Sequence, residues 1–331
     1  MSSSTSLILE WRPLRYRLAQ PLKNAHGTTI EQRGWLLKLS NQAGAIGWGE
    51  VLPPLLQWHN CAAAIGRLGL QLELEQLELQ LPLLPGALAF GLGLALAELQ
   101  GLCEGWLEAP PSAWLLPAGA AAIPALENAL NAASTPITVK WKVATQAEAI
   151  EKQLLKELLE LLPTTGRLRL DANAGWDQNS ADRWVEYLGH EPRLEWLEQP
   201  LPPGEHQGLL RLARLLPIAL DESLRDPAGI PPGWCGWRVH KPALEGDPRP
   251  LLQALTGGAA KIMISTAFGT GISNRFLAHL AALQIKGPTP CAPGLAPGWG
   301  PEGALASAKP KPKPSAPGSK GNCSSNCSNS S

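Results

Sequence analysis

Six charged residues close short apolar runs between Val139 and Lys241, in Val139-Lys-Trp-Lys-Val143, Leu170-Asp-Ala-Asn173, Leu197-Glu-Gln-Pro200, Leu220-Asp-Glu-Ser223 and Val239-His-Lys-Pro242. If the runs are neighbouring parallel strands, Asp171, Glu198 and Asp221 meet at one end of the sheet. Three carboxylates that close repel one another unless a cation sits among them. Hard oxygen donors of this kind suit Mg²⁺, which leaves coordination positions for water and substrate oxygens. Singly, each acid reads as a solvated strand end or a helix cap; three in sequential register read as a metal site. Lys140 and Lys142 are two residues apart and face the same way on a strand. Two ammonium groups on one interior surface lower the pKa of at least one, and a neutral amine is a usable general base. The bland alternative, both lysines lying outward on an edge strand, is opposed by Trp141 between them and by the apolar flanks Ile137, Val139 and Val143. Lys241 falls four strands further on, across an eight-strand circle from the pair. The chemistry implied is removal of an α-proton from a metal-held carboxylate, with amines on both faces of the carbon and charge developing where the cation sits. His240 points the other way by strand alternation and reads as structural.

Positioning such residues needs a regular scaffold. The charged ends are spaced by 29, 27, 23 and 20 residues from Lys142 through Asp171, Glu198 and Asp221 to Lys241. That is one strand, one helix and two turns per step. Strands are expected at Trp114–Leu116, Ile137–Val143, Arg167–Asn173, Leu194–Gln199, Ile218–Glu222, Trp237–Lys241, Lys261–Ser265 and near Pro290. Helices are clearest at Gln146–Leu162, where Leu154, Leu155, Leu158, Leu159 and Leu162 form a stripe, and at Ser180–Leu188. βα units in this number close into a barrel more readily than they spread into a doubly wound sheet. The fold class is therefore α/β, a TIM-type barrel preceded by an α+β module. In that module residues 7–18 and 33–50 read as strands, Gly44 marks a hairpin, and residues 57–104 read as helical. Gln20–Gly27 reads as a polar, mobile connection. The pair Pro110-Pro111 places a boundary, giving residues 1–108, 109–307 and a Lys-Pro, Ser and Asn-rich tail over 308–331 expected to be disordered.

The chain has 331 residues, and its 28 basic and 28 acidic side chains cancel, so no field draws it to nucleic acid or to a membrane. The apolar run Gly86–Ala97 is too short to span a bilayer, and the start lacks a secretory pattern; a cytoplasmic protein is expected, with a small-molecule carboxylate as its partner. Cys61, Cys103, Cys235 and Cys291 read as reduced thiols, and Cys323 and Cys327 lack a further pair at ligand spacing. Oligomeric state is not legible.

Taken together, Lys140-x-Lys142, Asp171-x-Asn173, Glu198-Gln-Pro, Asp221-Glu-Ser and Lys241-Pro resemble the enolase superfamily in its muconate-cycloisomerase-type branch, with Gly47-Trp-Gly-Glu50 in the cap. The resemblance covers about residues 7–300. It implies a modified (β/α)7β barrel with an N-terminal α+β capping domain, and Mg²⁺ held by Asp171, Glu198 and Asp221. It further implies Lys142 as base and then acid, Lys241 as a cation facing the intermediate, and Lys140 and Asn173 as supporting groups. Within the branch the chain is most similar to the lyases that dehydrate a succinyl-hydroxycyclohexadiene carboxylate in menaquinone or phylloquinone synthesis. N-acyl amino acid racemases and dipeptide epimerases of the branch are the alternatives, and a noncatalytic binding barrel is the alternative of another class. The stretch Pro288–Gly294 has no carboxylate to hold a substrate ammonium. The turn Ser265-Thr-Ala-Phe-Gly-Thr-Gly271 offers Ser265, Gly269 and Gly271 as a cradle for a second carboxylate, or is a plain strand-to-helix turn.

Overall fold

The computed structural model describes residues 6–133 and 136–307; the expected tail, with Cys323 and Cys327, lies outside them. The first sheet is antiparallel, in the order β3-β2-β1-β4, and is built from β1 (Ser6–Asn24), β2 (Gly27–Asn41), β3 (Ile46–Val51) and β4 (Gln71–Glu73). Helices α1 (Trp58–Leu68), α2 (Leu74–Gln80) and α3 (Gly86–Leu99) cover one of its faces. Alternation sets that face: Leu7 and Leu9 on β1 and Leu37 and Leu39 on β2 are buried, while Ile8 is half exposed.

Gln20–Gly27 corrects the sequence reading. Residues 21–24 and 27–30 continue the β1–β2 ladder, with Leu22 opposite Thr29 and Asn24 opposite Gly27 after a register shift past Arg17. The backbone pairs there because Thr28, Thr29 and Ile30 favour strand geometry, and Asn24 Oδ1 accepts the His26 amide to close the turn.

Helix α3 has a different task. It is buried without a break from Ala87 to Ala97, packed on the cap sheet by one face and on barrel residues such as Leu252, Ile272 and Phe276 by the other. Small residues allow this closeness: a Cβ at Gly47 or Gly49 would collide with the carbonyls of Ala95 and Gly91.

After an irregular stretch over 100–113, the chain alternates β5 (Trp114–Leu115), α4 (Ala122–Ala132), β6 (Thr138–Lys142), α5 (Glu148–Leu161), β7 (Arg167–Asp171), α6 (Gln178–Leu188), β8 (Leu194–Glu198), α7 (His206–Leu212), β9 (Ile218–Leu220), β10 (Trp237–His240), α8 (Pro242–Glu245), α9 (Arg249–Thr256), β11 (Ile262–Ile264) and α10 (Gly271–Ile285). The seven strands pair in parallel in chain order. One step differs from the expected period: β9 and β10 are joined by a short 3-10 turn at Glu222–Leu224 and a loop with Pro227, Pro231 and Pro232, which deny a helix its amides. The eighth strand is also less than expected. It is a single bridge between Gly294 and Ser265, since Pro288, Pro290 and Pro293 cannot donate to a ladder. That bridge still closes the ring: Gly294 N–H donates to Ile264 O on one side (2.8 Å), and Ala113 N–H donates to Pro293 O beside β5 (2.9 Å).

Candidate active site

Register brings the charged residues together. Lys142 lies beside Asp171 and Asp171 beside Glu198, forming one row across the C-terminal ends of β6, β7 and β8. Glu198 lies beside Ala219, so Asp221 projects from the same face of β9 two residues further on. Asp171, Glu198 and Asp221 have no exposed surface. One row down, Lys140 lies beside Arg169 and Arg169 beside Trp196, and the guanidinium stacks 4.0 Å from the indole. This layer is the packed floor beneath the site.

Three lysines meet the acids from above and within. Lys140 Nζ lies 2.9 Å from Asp171 Oδ2 and donates to Glu198 Oε1 at 2.6 Å. Lys142 Nζ donates to Asp171 Oδ2 at 2.9 Å and to Asn173 Oδ1 at 2.7 Å. Lys241 Nζ and Arg225 both donate to Asp221. These neighbours divide the lysines electrostatically. Burial holds Lys142 below the ordinary lysine range, with Lys140 and Lys241 adding repulsion and Asp171 pulling back. For Lys140 burial also works against charge, but Asp171, Glu198 and Asp221 outweigh it and raise the pKa. Lys241 is raised in the same way, Asp221 and Glu222 outweighing burial. One amine is thus the most readily deprotonated of the three, between two whose charge is favoured.

Whether these acids suit Mg²⁺ is answered by their donor set. Asp171 and Glu198 already share one cation, the Lys140 ammonium. Glu198 Oε2 is buried without a hydrogen-bond partner among the described residues, and burial, then the charge of Asp171, raises the Glu198 pKa. A buried carboxylate oxygen left unmatched beside two further carboxylates is a site that wants positive charge. Among the described residues no three acidic, His or Cys side chains already stand as a cage, because each acid is drawn onto an ammonium or guanidinium. The donors fit hard-cation binding in number and kind, with the lysines as the groups that would give way.

Sequence reasoning missed the groups that hold this arrangement. Gln199 accepts the amides of Asp221 (3.0 Å) and Ser223 (3.2 Å) and donates to Leu201 O and Ser223 Oγ, tying the end of β8 to the turn after β9. Glu151, buried on α5, accepts the amides of Ala144, Thr145 and Gln146 just past Lys142. Glu222 accepts from Asn173 Nδ2 at 3.2 Å. The spacing Asp221 to Arg225, one helical turn, was the available signal for that pair. Of the left-handed positions Ala144 (φ 57°), Asn173 (φ 45°), Gln199 (φ 35°) and Phe268 (φ 63°), only Asn173 is of a residue type that favours that backbone. These sit just past β6, β7, β8 and β11, where strain of about 1–3 kcal/mol per residue is tolerated because the surroundings fix the geometry.

The acids lie beneath a cavity of about 830 Å³ between the cap and the barrel mouth. Lys140, Lys142, Asn173, Lys241 and Ser265 line it, as do Arg225 and Glu222. From the cap come His26, Thr28 and Gln32 of the β1–β2 hairpin, and Leu52 and Trp58. Gly269 and Gly271 do not line it. The N-terminus of α10 that they flank is already filled: Glu50 of β3 accepts from the Thr270 amide at 3.0 Å. The cradle expected from Ser265, Gly269 and Gly271 is therefore reduced to Ser265, because an internal carboxylate has taken the helix end.

The family model described as enolase C-terminal domain-like matches residues 125–232. The chain is 32% identical to the o-succinylbenzoate synthase of Thermosynechococcus vestitus over 293 residues, 82% of this chain and 87% of that protein. It is 30% identical to the o-succinylbenzoate synthase of Yersinia enterocolitica over 284 residues, 80% of this chain and 84% of that protein. Among solved structures, the o-succinylbenzoate synthase of Thermosynechococcus elongatus, with Mg in its active site, aligns with a TM-score of 0.73 at 30% identity, over 91% of this chain and 96% of that one. The L-Ala-D/L-Glu epimerase of Bacillus subtilis aligns with a TM-score of 0.68 at 20% identity, over 87% and 89%, a likeness of fold alone. With the barrel, its antiparallel cap and a curated relative matched over most of both lengths, the chain belongs to the enolase superfamily, in the branch of muconate-cycloisomerase type.

Proposed function

We propose that this protein is a Mg²⁺-dependent o-succinylbenzoate synthase, dehydrating 2-succinyl-6-hydroxy-2,4-cyclohexadiene-1-carboxylate in menaquinone or phylloquinone synthesis. The observation that carries the reading is the row Lys142, Asp171 and Glu198, with Asp221 and Lys241 facing it, at the floor of one cavity. The extended similarity to o-succinylbenzoate synthases supports the choice within the superfamily.

Mg²⁺, held by Asp171, Glu198 and Asp221, would supply positive charge where the substrate carboxylate becomes an enediolate. Lys142 Nζ, the amine that gives up its proton, takes hydrogen from the ring carbon bearing the carboxylate. The C–H electron pair passes into the carboxylate. It then returns to expel the neighbouring hydroxyl, which leaves as water with the proton now on Lys142, and the ring becomes aromatic. Lys241 stays charged on the opposite side, where it faces the developing anion. Asn173 Oδ1 accepts from Lys142 and keeps the amine directed at the cavity. Ser265 lines the cavity wall, and its hydroxyl is the group this reading assigns to the succinyl arm. No carboxylate from the stretch 288–296 lines the cavity, only Gly294 and Ala296, so a substrate ammonium would lack a partner there.

The expected result is loss of the cyclohexadiene ultraviolet absorbance when substrate and Mg²⁺ are added, arrest of turnover by EDTA and recovery on excess Mg²⁺. Turnover that EDTA leaves untouched would remove the metal from the reaction. Deuterium exchange at the α-carbon of an N-acyl amino acid, without dehydration of the cyclohexadiene, would instead support the racemase reading.

A further inference from the structure

The wall of the cavity formed by Ser265, Thr266, Ala267 and Phe268, with the helix start that follows it, is bonded to three residues of the cap sheet. Tyr16 Oη donates to Phe268 O at 2.8 Å, and Gln32 Nε2 donates to Ala267 O at 3.2 Å. The third is Glu50, which is 1% exposed. Its carboxylate accepts from the Thr270 amide (3.0 Å), Thr270 Oγ1 (3.1 Å) and Ser273 Oγ (2.5 Å). All are groups of the first turn of α10 or its cap, a helix of 15 residues. Burial pushes the Glu50 carboxyl above the ordinary range, and the hydrogen bonds from Ser273 and Thr270 offset that only in part; the helix end is nevertheless what supplies every donor this buried group meets there. The segment it grips contains Phe268 in a left-handed conformation (φ 63°), a shape the segment would not keep unaided. No substrate contact explains Glu50, which lies outside the cavity lining.

We propose that Glu50 is a positioning residue for the substrate pocket: a carboxyl group carried by the capping sheet that seats on the N-terminus of α10 and holds the wall Ser265–Phe268 in its substrate-binding shape. The cap is then more than a lid over the barrel, because its docking sets the wall on which the succinyl arm would rest. Only the kinetic half of this statement depends on the dehydratase reading.

Hydrogen exchange read by mass spectrometry over peptides covering 262–275 tests it in the full chain, with Glu50→Gln and Glu50→Ala. Replacing one of two accepting oxygens by an NH₂ group that faces the same buried donors predicts exchange of that segment about tenfold faster in Glu50→Gln, the rest of the barrel keeping its protection. The KM for the cyclohexadiene substrate should rise about tenfold, with kcat changed by less than about threefold, the signature of lost binding geometry. Formate, small enough to refill the vacated helix end, should slow exchange and lower KM in Glu50→Ala. Unchanged exchange and KM in Glu50→Gln, or protection lost evenly across the chain, would overturn the proposal. Wild-type protein inactive on the cyclohexadiene would instead sink the dehydratase reading and leave the exchange result to judge Glu50.

Discussion

Lys142→Ala lowers kcat for the dehydration by about 10³-fold, within the range lost when a positioned general base is removed. The effect lies at the large end because the same amine both takes the α-proton and returns it to the departing hydroxyl. Folding should survive the change. Asp171, which loses one ammonium, keeps the other, since Lys140 Nζ lies 2.9 Å from the same carboxylate oxygen. Lys142→Arg should be as inactive as the alanine variant despite keeping the charge, because a guanidinium does not release its proton at any working pH. Initial rates by ultraviolet absorbance, with circular dichroism to verify the fold, measure both. Turnover in Lys142→Ala within tenfold of wild type would remove this residue from proton transfer.

The second large effect is on stability. Asp221→Ala, measured without added metal, should cost about 3–5 kcal/mol, because it leaves buried cations without their carboxylate. Lys241 donates to one oxygen of Asp221 and Arg225 to the other, and their side chains are only 14% and 23% exposed. Arg225 retains Glu222 at 3.4 Å, whereas Lys241 loses the one acid it bridges in the described structure. Asp221→Asn, which keeps an acceptor oxygen, should lose less. Urea denaturation reads the difference as a lowered midpoint with an unchanged slope. A midpoint equal to wild type would mean that the site relaxes and that the cations are solvated through the cavity.

Much of the barrel was legible because its period is set by chemistry that repeats. Each of β6 to β9 is a short, largely buried strand that ends at or one residue before a charged side chain at the mouth, so Asp171, Glu198 and Asp221 announce their strands. The step from β9 to β10 and the single bridge at Gly294 broke the period, and in both cases proline was the visible reason. The hairpin over residues 20–30 was hidden by its own polarity. Its residues are exposed or half-buried along both strands, so no apolar face marks the register. The lysine pair was readable from spacing alone, but not which member would have the lowered pKa. That follows from Lys140 standing on two carboxylates and Lys142 on one, a fact of packing across 58 and 29 residues of sequence. Gln199 and Glu50 stand in motifs the sequence shows, but their roles, like that of Glu151, were not readable: each acts on backbone amides, which every sequence supplies.

The proposed chemistry requires Asp171, Glu198 and Asp221 to share one divalent cation, and calorimetric titration with Mg²⁺ tests that most directly. Wild-type protein should bind one Mg²⁺ per chain, and Glu198→Gln, folded by circular dichroism, should bind none over the same range. Equal binding by Glu198→Gln, or no binding by the wild type, would contradict it.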